Sequence, residues 1–219
     1  MTDIRTVLRW AVTWRFITDN PMEGFEMPKQ DNAVIPPPSK PEFDAILACA
    51  PPHLMRAMLI SYYTGLRPGK EELLPLTWDL VDFHNKTITV ISAKKGGPPK
   101  RVIPLHKNLN ELLKQWYEED EKVYKGGCKD MGRRYIVSFN GHKIDSLKSA
   151  WKTAKKRARV TRRLRMYDMR HAFATGMLRK GASLKSVSEL LGHAGPEITA
   201  RVYKHVDTAE KRDAVDLLG

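Results

Sequence analysis

The chain has 219 residues, 42% hydrophobic and 29% charged, which suits one main core with a small appendage and excludes a disordered or fibrous protein. No run approaches the roughly 18 apolar residues that cross a bilayer, and the opening "MTDIRTVLRWAVTWRF" lacks the apolar core and cleavage site of a secretory signal, so a cytoplasmic protein is expected. The net charge of +13 is concentrated: residues 129–165 hold 13 Lys and Arg against 2 Asp and Glu, a field that selects nucleic acid ahead of an anionic membrane surface.

In chain order, Ile4, Leu8, Ala11, Val12 and Phe16 recur at helical spacing, predicting one helix over residues 2–18 that "DNP" stops. Residues 21–38, "PMEGFEMPKQDNAVIPPP", have proline, glycine and no periodicity, and read as a linker. "SKPE" is a capping box in which Ser39 and Glu42 open a helix reaching about Cys49. The next helix, "HLMRAMLISYYTG", is apolar nearly all round and therefore buried, with Gly65 placed as its left-handed cap and Arg67 emerging just beyond.

"PGKEELLPLTW" suggests a further short helix, and "TITVIS" and "RVIPL" alternate as a hairpin whose tip carries Lys94, Lys95 and Lys100. An amphipathic helix is expected over 108–124, a short strand at "YIVSF", and a basic helix over 145–159 that buries Leu147, Trp151 and Ala154. Helices near 169–180, 183–192, 196–205 and 208–217 complete an α+β, mainly helical chain with a small antiparallel sheet. Cys49 and Cys128 are far apart and in no metal-ligand spacing, and read as free thiols.

The stretches "YTGLRPGKEELLPLTW", "KRVIPL" and "YDMRHAFATGMLRKGASLKSVSELLGHAGPEITARVYKHV" together resemble the catalytic domain of the tyrosine recombinase (phage integrase) family. The likeness covers roughly residues 39–207, and it implies the integrase catalytic fold over 39–219. Residues 1–20 then look like the C-terminal helix of a truncated core-binding (SAM-like) domain, with 21–38 as the linker.

The resemblance implies a catalytic set. Arg67 in "TGLR" and Arg170 in "YDMRH" match two arginines that bind the scissile phosphate, a task for which a guanidinium fork is well shaped. His193 in "LLGH" matches a phosphate-contacting histidine and Tyr203 the nucleophile. A phenol with a pKa of about 10 is mostly neutral at pH 7, so it attacks only as its proton leaves. Lys94 best matches the hairpin lysine that protonates the departing 5'-oxygen, with Lys95 a close second. Glu72 corresponds to the supporting acid, and Glu71 remains open beside it.

Tyr167 stands where the family usually has histidine; it can donate a hydrogen bond to phosphate but cannot take a proton as an imidazole does. Proton removal would then fall to His193 or water, or the enzyme would be slower, while His171 reads as a buried structural hydrogen-bonder. The basic run supplies a phosphate-contacting face of Lys148, Lys152, Lys155, Lys156, Arg159, Arg162 and Arg163.

No glycine-rich phosphate loop, zinc-spaced His and Cys cluster or "GxSxG" elbow is present, so neither metal nor cofactor is expected. The implied partners are double-stranded DNA carrying attachment-type sites, a homotetramer on that DNA, and accessory DNA-bending or directionality proteins, in a prophage or mobile-element setting. A DNA-binding remnant without recombination, and a topoisomerase that relaxes supercoils, are the rival readings.

Overall fold

The computed structural model describes residues 2–26, 35–92, 98–124 and 134–203. Two compact units result, Met1–Val34 and Ile35–Gly219. In the first, α1 (Thr2–Thr13) is shorter than the apolar spacing predicts, because the chain turns after Thr13. Trp10 stacks on Phe16 there at 5.4 Å, and Arg5 donates to the Phe25 carbonyl.

The second unit is mainly helical with a small antiparallel sheet, the class the sequence predicts. Its first helix, α2 (Lys40–Ala48), begins at the expected capping box: Ser39 Oγ accepts from the Glu42 amide and the Glu42 carboxylate accepts from the Ser39 amide. Next comes α3 (Pro52–Thr64), which buries Leu54, Ala57, Met58 and Ile60 and packs against α6 (Asp168–Arg179) and α4 (Lys107–Tyr124). Gly65 ends α3 at φ 68°, and a Cβ there would lie 2.5 Å from the Phe173 ring of α6. Only glycine meets both demands.

Residues 68–75 form turns instead of the expected short helix. The Leu73 amide donates to the Arg67 carbonyl at 3.3 Å and the Leu74 amide to that of Gly69 at 3.0 Å, wider loops than a helix makes. A single 3₁₀ turn follows at Trp78–Leu80.

The sheet has a third strand beyond the expected hairpin: β1 (Val81–Asp82), β2 (Thr87–Ile91) and β3 (Lys100–Pro104) pair in that order. Alternation buries Ile88 and Val90 of β2 and Arg101 and Ile103 of β3. The strand expected at "YIVSF" is mostly a buried bend; Tyr135 bridges Thr77, and only Ser138–Phe139 (β4) pairs, with His142–Lys143 (β5).

Basic α5 (Lys148–Arg157) buries Trp151 and Ala154, with Leu147 buried at its cap. A smaller core follows, where Ala174 and Leu178 of α6, Val187 and Leu191 of α7 (Leu184–Leu191) and Tyr203 of α8 (Pro196–Tyr203) meet. The helix expected over 208–217 lies outside the described residues. Among the described residues, no helix is long and apolar enough to cross a membrane.

Candidate active site

The centre of the site is a buried carboxylate. Glu72 is 1% exposed, whereas Glu71 is exposed. One Glu72 oxygen accepts from the Arg67 guanidinium and the other from the Arg67 amide at 3.0 Å. Arg101 reaches the two oxygens at 3.2 and 2.8 Å, and Arg170 Nη1 stands 3.7 Å away. Burial alone would raise this carboxyl; the Arg101 hydrogen bonds and the Arg67 amide outweigh it and hold the group below the ordinary carboxylate range. Three guanidiniums therefore share one negative charge, and the site keeps a net positive field.

Each guanidinium arrives on a different element. Arg67 follows the Gly65 cap of α3, Arg101 lies on the buried face of β3, and Arg170 opens the first turn of α6. Arg170 is 1% exposed, and it donates to the carbonyls of Gly65 at 2.7 Å and Leu191 at 2.6 Å. Burial pushes its pKa down and the nearby Arg67 charge adds to that. A guanidinium starts so high that it stays protonated at neutral pH.

His193 sits just past Gly192, the left-handed end of α7 at φ 67°. A Cβ on Gly192 would lie 2.7 Å from the Arg101 guanidinium, so this turn needs glycine to let Arg101 pass. His193 Nε2 is 3.1 Å from Arg170 Nη2 and its Nδ1 is 2.7 Å from Thr199 Oγ1. Arginine can only donate, which makes Nε2 the acceptor and puts the imidazole proton on Nδ1, facing Thr199. Burial and the Arg170 charge lower this histidine to about 4, so it is neutral at pH 7.

Tyr203 ends α8 at 5% exposure, with its hydroxyl 2.9 Å from His171 Nδ1. Burial raises the phenol above its ordinary range, only partly countered by Arg170. Tyr167 precedes α6, is 39% exposed, and meets the His171 ring edge-on at 5.2 Å.

The structure thus brings Arg67, Glu72, Arg170 and His193 into one connected network, with Tyr203 and Tyr167 joined beside it through His171. Lys94 and Lys95 lie outside the described residues. Two of the participants stand outside the catalytic set that the resemblance implies. Arg101 is legible in principle: alternation in "KRVIPL" puts it on the same buried face as Ile103, and a buried arginine requires an acid. His171 lies one helical turn after Tyr167, a spacing that is equally visible.

Of the expected phosphate-contacting residues, Lys148, Lys152, Lys156, Arg159 and Arg163 are exposed. The other two already make contacts within the protein. Arg162 is held by Glu42 at 2.6 and 2.8 Å and by the carbonyls of Pro36 at 2.9 Å and Pro37 at 3.1 Å, so its donors already have protein partners. Lys155 is half-buried and donates to the Arg162 carbonyl at 2.6 Å.

Comparison with known proteins gives the same picture at the level of family. A family model described as the phage integrase family matches residues 41–210. A tyrosine recombinase XerC-like protein of Caldanaerobacter subterraneus subsp. tengcongensis is 30% identical over 98% of this chain and 63% of its own length. The putative defective protein IntQ of Escherichia coli K12 is 27% identical over 93% of this chain and 58% of its own. The chain thus spans about three-fifths of the length of these relatives. Among solved structures, the Tn1549 transposon integrase in complex with a circular intermediate DNA superposes with a TM-score of 0.71 at 18% identity, covering 98% of this chain and 76% of that one, and shares the fold.

Proposed function

Because this chain belongs to the phage integrase family, we propose that it is a site-specific DNA recombinase that cuts and rejoins duplex DNA through a phosphotyrosine link at Tyr203. The observation that carries this reading is the convergence of Arg67, Arg170 and His193 on one network, with the Tyr203 phenol joined to the residue that follows Arg170.

In this reaction Tyr203 Oη attacks a backbone phosphorus, the bond to the 5'-oxygen breaks, and a 3'-phosphotyrosine and a free 5'-hydroxyl result. Charge on the non-bridging oxygens grows in the transition state and is met by Arg67, fixed in advance by its hydrogen bond to Glu72, and by Arg170, fixed by the Gly65 and Leu191 carbonyls with Glu72 3.7 Å away. The 5'-oxygen takes its proton from the hairpin lysine, Lys94 or Lys95. Attack by the 5'-hydroxyl of a partner strand reverses the chemistry, so resealing needs no external energy source. Four protomers would act on two attachment-type duplexes, with DNA-bending or directionality proteins assisting, in the cytoplasm of a host that carries the element.

A nicked suicide duplex tests the reading. The native protein accumulates a covalent protein–DNA adduct and Tyr203→Phe does not; equal adduct in both refutes it.

The second reading, a DNA-binding relative without strand exchange, is favoured by the low exposure of Arg170 and Tyr203, 1% and 5%, and by the likeness to a relative called defective. It predicts salt-sensitive duplex binding and no adduct.

A further inference from the structure

A buried phenol needs somewhere to send its proton, and among the described residues around Tyr203 one destination remains. Tyr167, in the family's usual histidine position, has no basic nitrogen. His193 is an imidazole, but its unprotonated Nε2 already accepts from Arg170 Nη2 at 3.1 Å and its Nδ1 proton faces Thr199. Arg67, Arg101 and Arg170 are permanent cations. Glu72 accepts from Arg67 and Arg101 on both of its oxygens. His171 Nδ1 lies 2.9 Å from the Tyr203 oxygen itself.

We propose that His171 is a catalytic residue, the general base whose Nδ1 collects the Tyr203 proton as the phenol attacks phosphate; this rests on the reading of Tyr203 as nucleophile. The step balances. The Tyr203 O–H bond breaks and the Oη–P bond forms, the proton moves to Nδ1 to give an imidazolium, and the P–O5' bond breaks. The leaving oxygen takes a different proton, from the hairpin lysine. On resealing, the imidazolium returns its proton to the departing phenolate, so base and acid are the same group in the two directions.

The helix explains the placement. Consecutive residues on α6 project about 100° apart. Arg170 turns into the core against Gly65 and Leu191, while His171 meets α8 at Tyr203. One turn earlier on the same face, the Tyr167 ring packs edge-on against the imidazole at 5.2 Å and steadies its plane. The acceptor has thus moved one helical turn from the usual position.

The test measures cleavage of a nicked suicide duplex by the native protein, Tyr203→Phe, His171→Asn and His171→Ala. Asn keeps a hydrogen-bonding side chain but cannot take a proton. His171→Asn and His171→Ala each cleave about 100-fold or more slowly than the native protein, the usual contribution of a general base, while duplex binding in a gel shift is unchanged. Added imidazole restores part of the rate to His171→Ala and none to Tyr203→Phe, a response a misfolded protein does not give. Cleavage by His171→Asn at the native rate, or no recovery of His171→Ala by imidazole, overturns the assignment while leaving Tyr203 as nucleophile if Tyr203→Phe is still inert. A native protein that forms no Tyr203-dependent adduct overturns both.

Discussion

Removing the charge of Glu72 isolates what it does. With Glu72→Gln, the buried Arg101 and Arg170 and the half-buried Arg67 lose their shared counter-charge. Leaving buried charge unpaired costs about 3–5 kcal/mol, so urea unfolding should show a loss of that size; a loss under about 1 kcal/mol would contradict the network. Spacing alone does not choose between Glu71 and Glu72, because the chain between Arg67 and Trp78 turns irregularly and carries no period to count by. Burial separates them: one carboxylate is enclosed by arginines and the other is in solvent. His171 is readable as a hydrogen-bonder, but its partner sits 32 positions away on another helix, which no local pattern encodes.

Helix ends hold these side chains in place. Gly65→Ala must put a Cβ into a left-handed backbone and against Phe173, and should cost at least about 2 kcal/mol in denaturant unfolding, since the left-handed penalty alone is about 1–2 kcal/mol. The Arg162–Glu42 pair ties the start of α2 to the segment that follows α5 and to the Pro36 and Pro37 carbonyls. Its hydrogen bonds from Arg162 hold Glu42 down at about 2. A depressed carboxylate stabilises the fold above its unfolded pKa and loses that effect as pH falls through its folded one. Thermal unfolding should therefore show native protein and Glu42→Gln furthest apart near pH 7 and converging between about pH 4.5 and 2; a constant gap contradicts the pair. Helices and hairpin strands are legible in the sequence because caps and apolar periods are local signals. The turns over 68–75 are not, since Leu73, Leu74 and Leu76 mimic a helical face while Pro68 and Pro75 have no amide to donate and Gly69 weakens the helix.

The charge that first pointed to nucleic acid gains a location at the scale of the whole molecule. Lys148, Lys152 and Lys156 recur every four residues along α5 and are exposed, with Arg159 and Arg163 exposed just beyond. Neutralising Lys152, Lys156, Arg159 and Arg163 together should weaken duplex binding and flatten its dependence on salt by up to roughly 0.9 for each phosphate left without a cation. Arg162→Ala should leave the slope unchanged and lower stability instead; a matching change in slope would return Arg162 to the DNA-contacting set.

Residue 203 is the proposed nucleophile, although a second phenol, Tyr167, stands beside the same histidine. Mass spectrometry of the trypsin-digested adduct from a suicide duplex decides between them. Nucleotide mass should fall on the peptide Val202–Lys204; nucleotide mass on the peptide bearing Tyr167, or on any other tyrosine, would rule out Tyr203 as nucleophile.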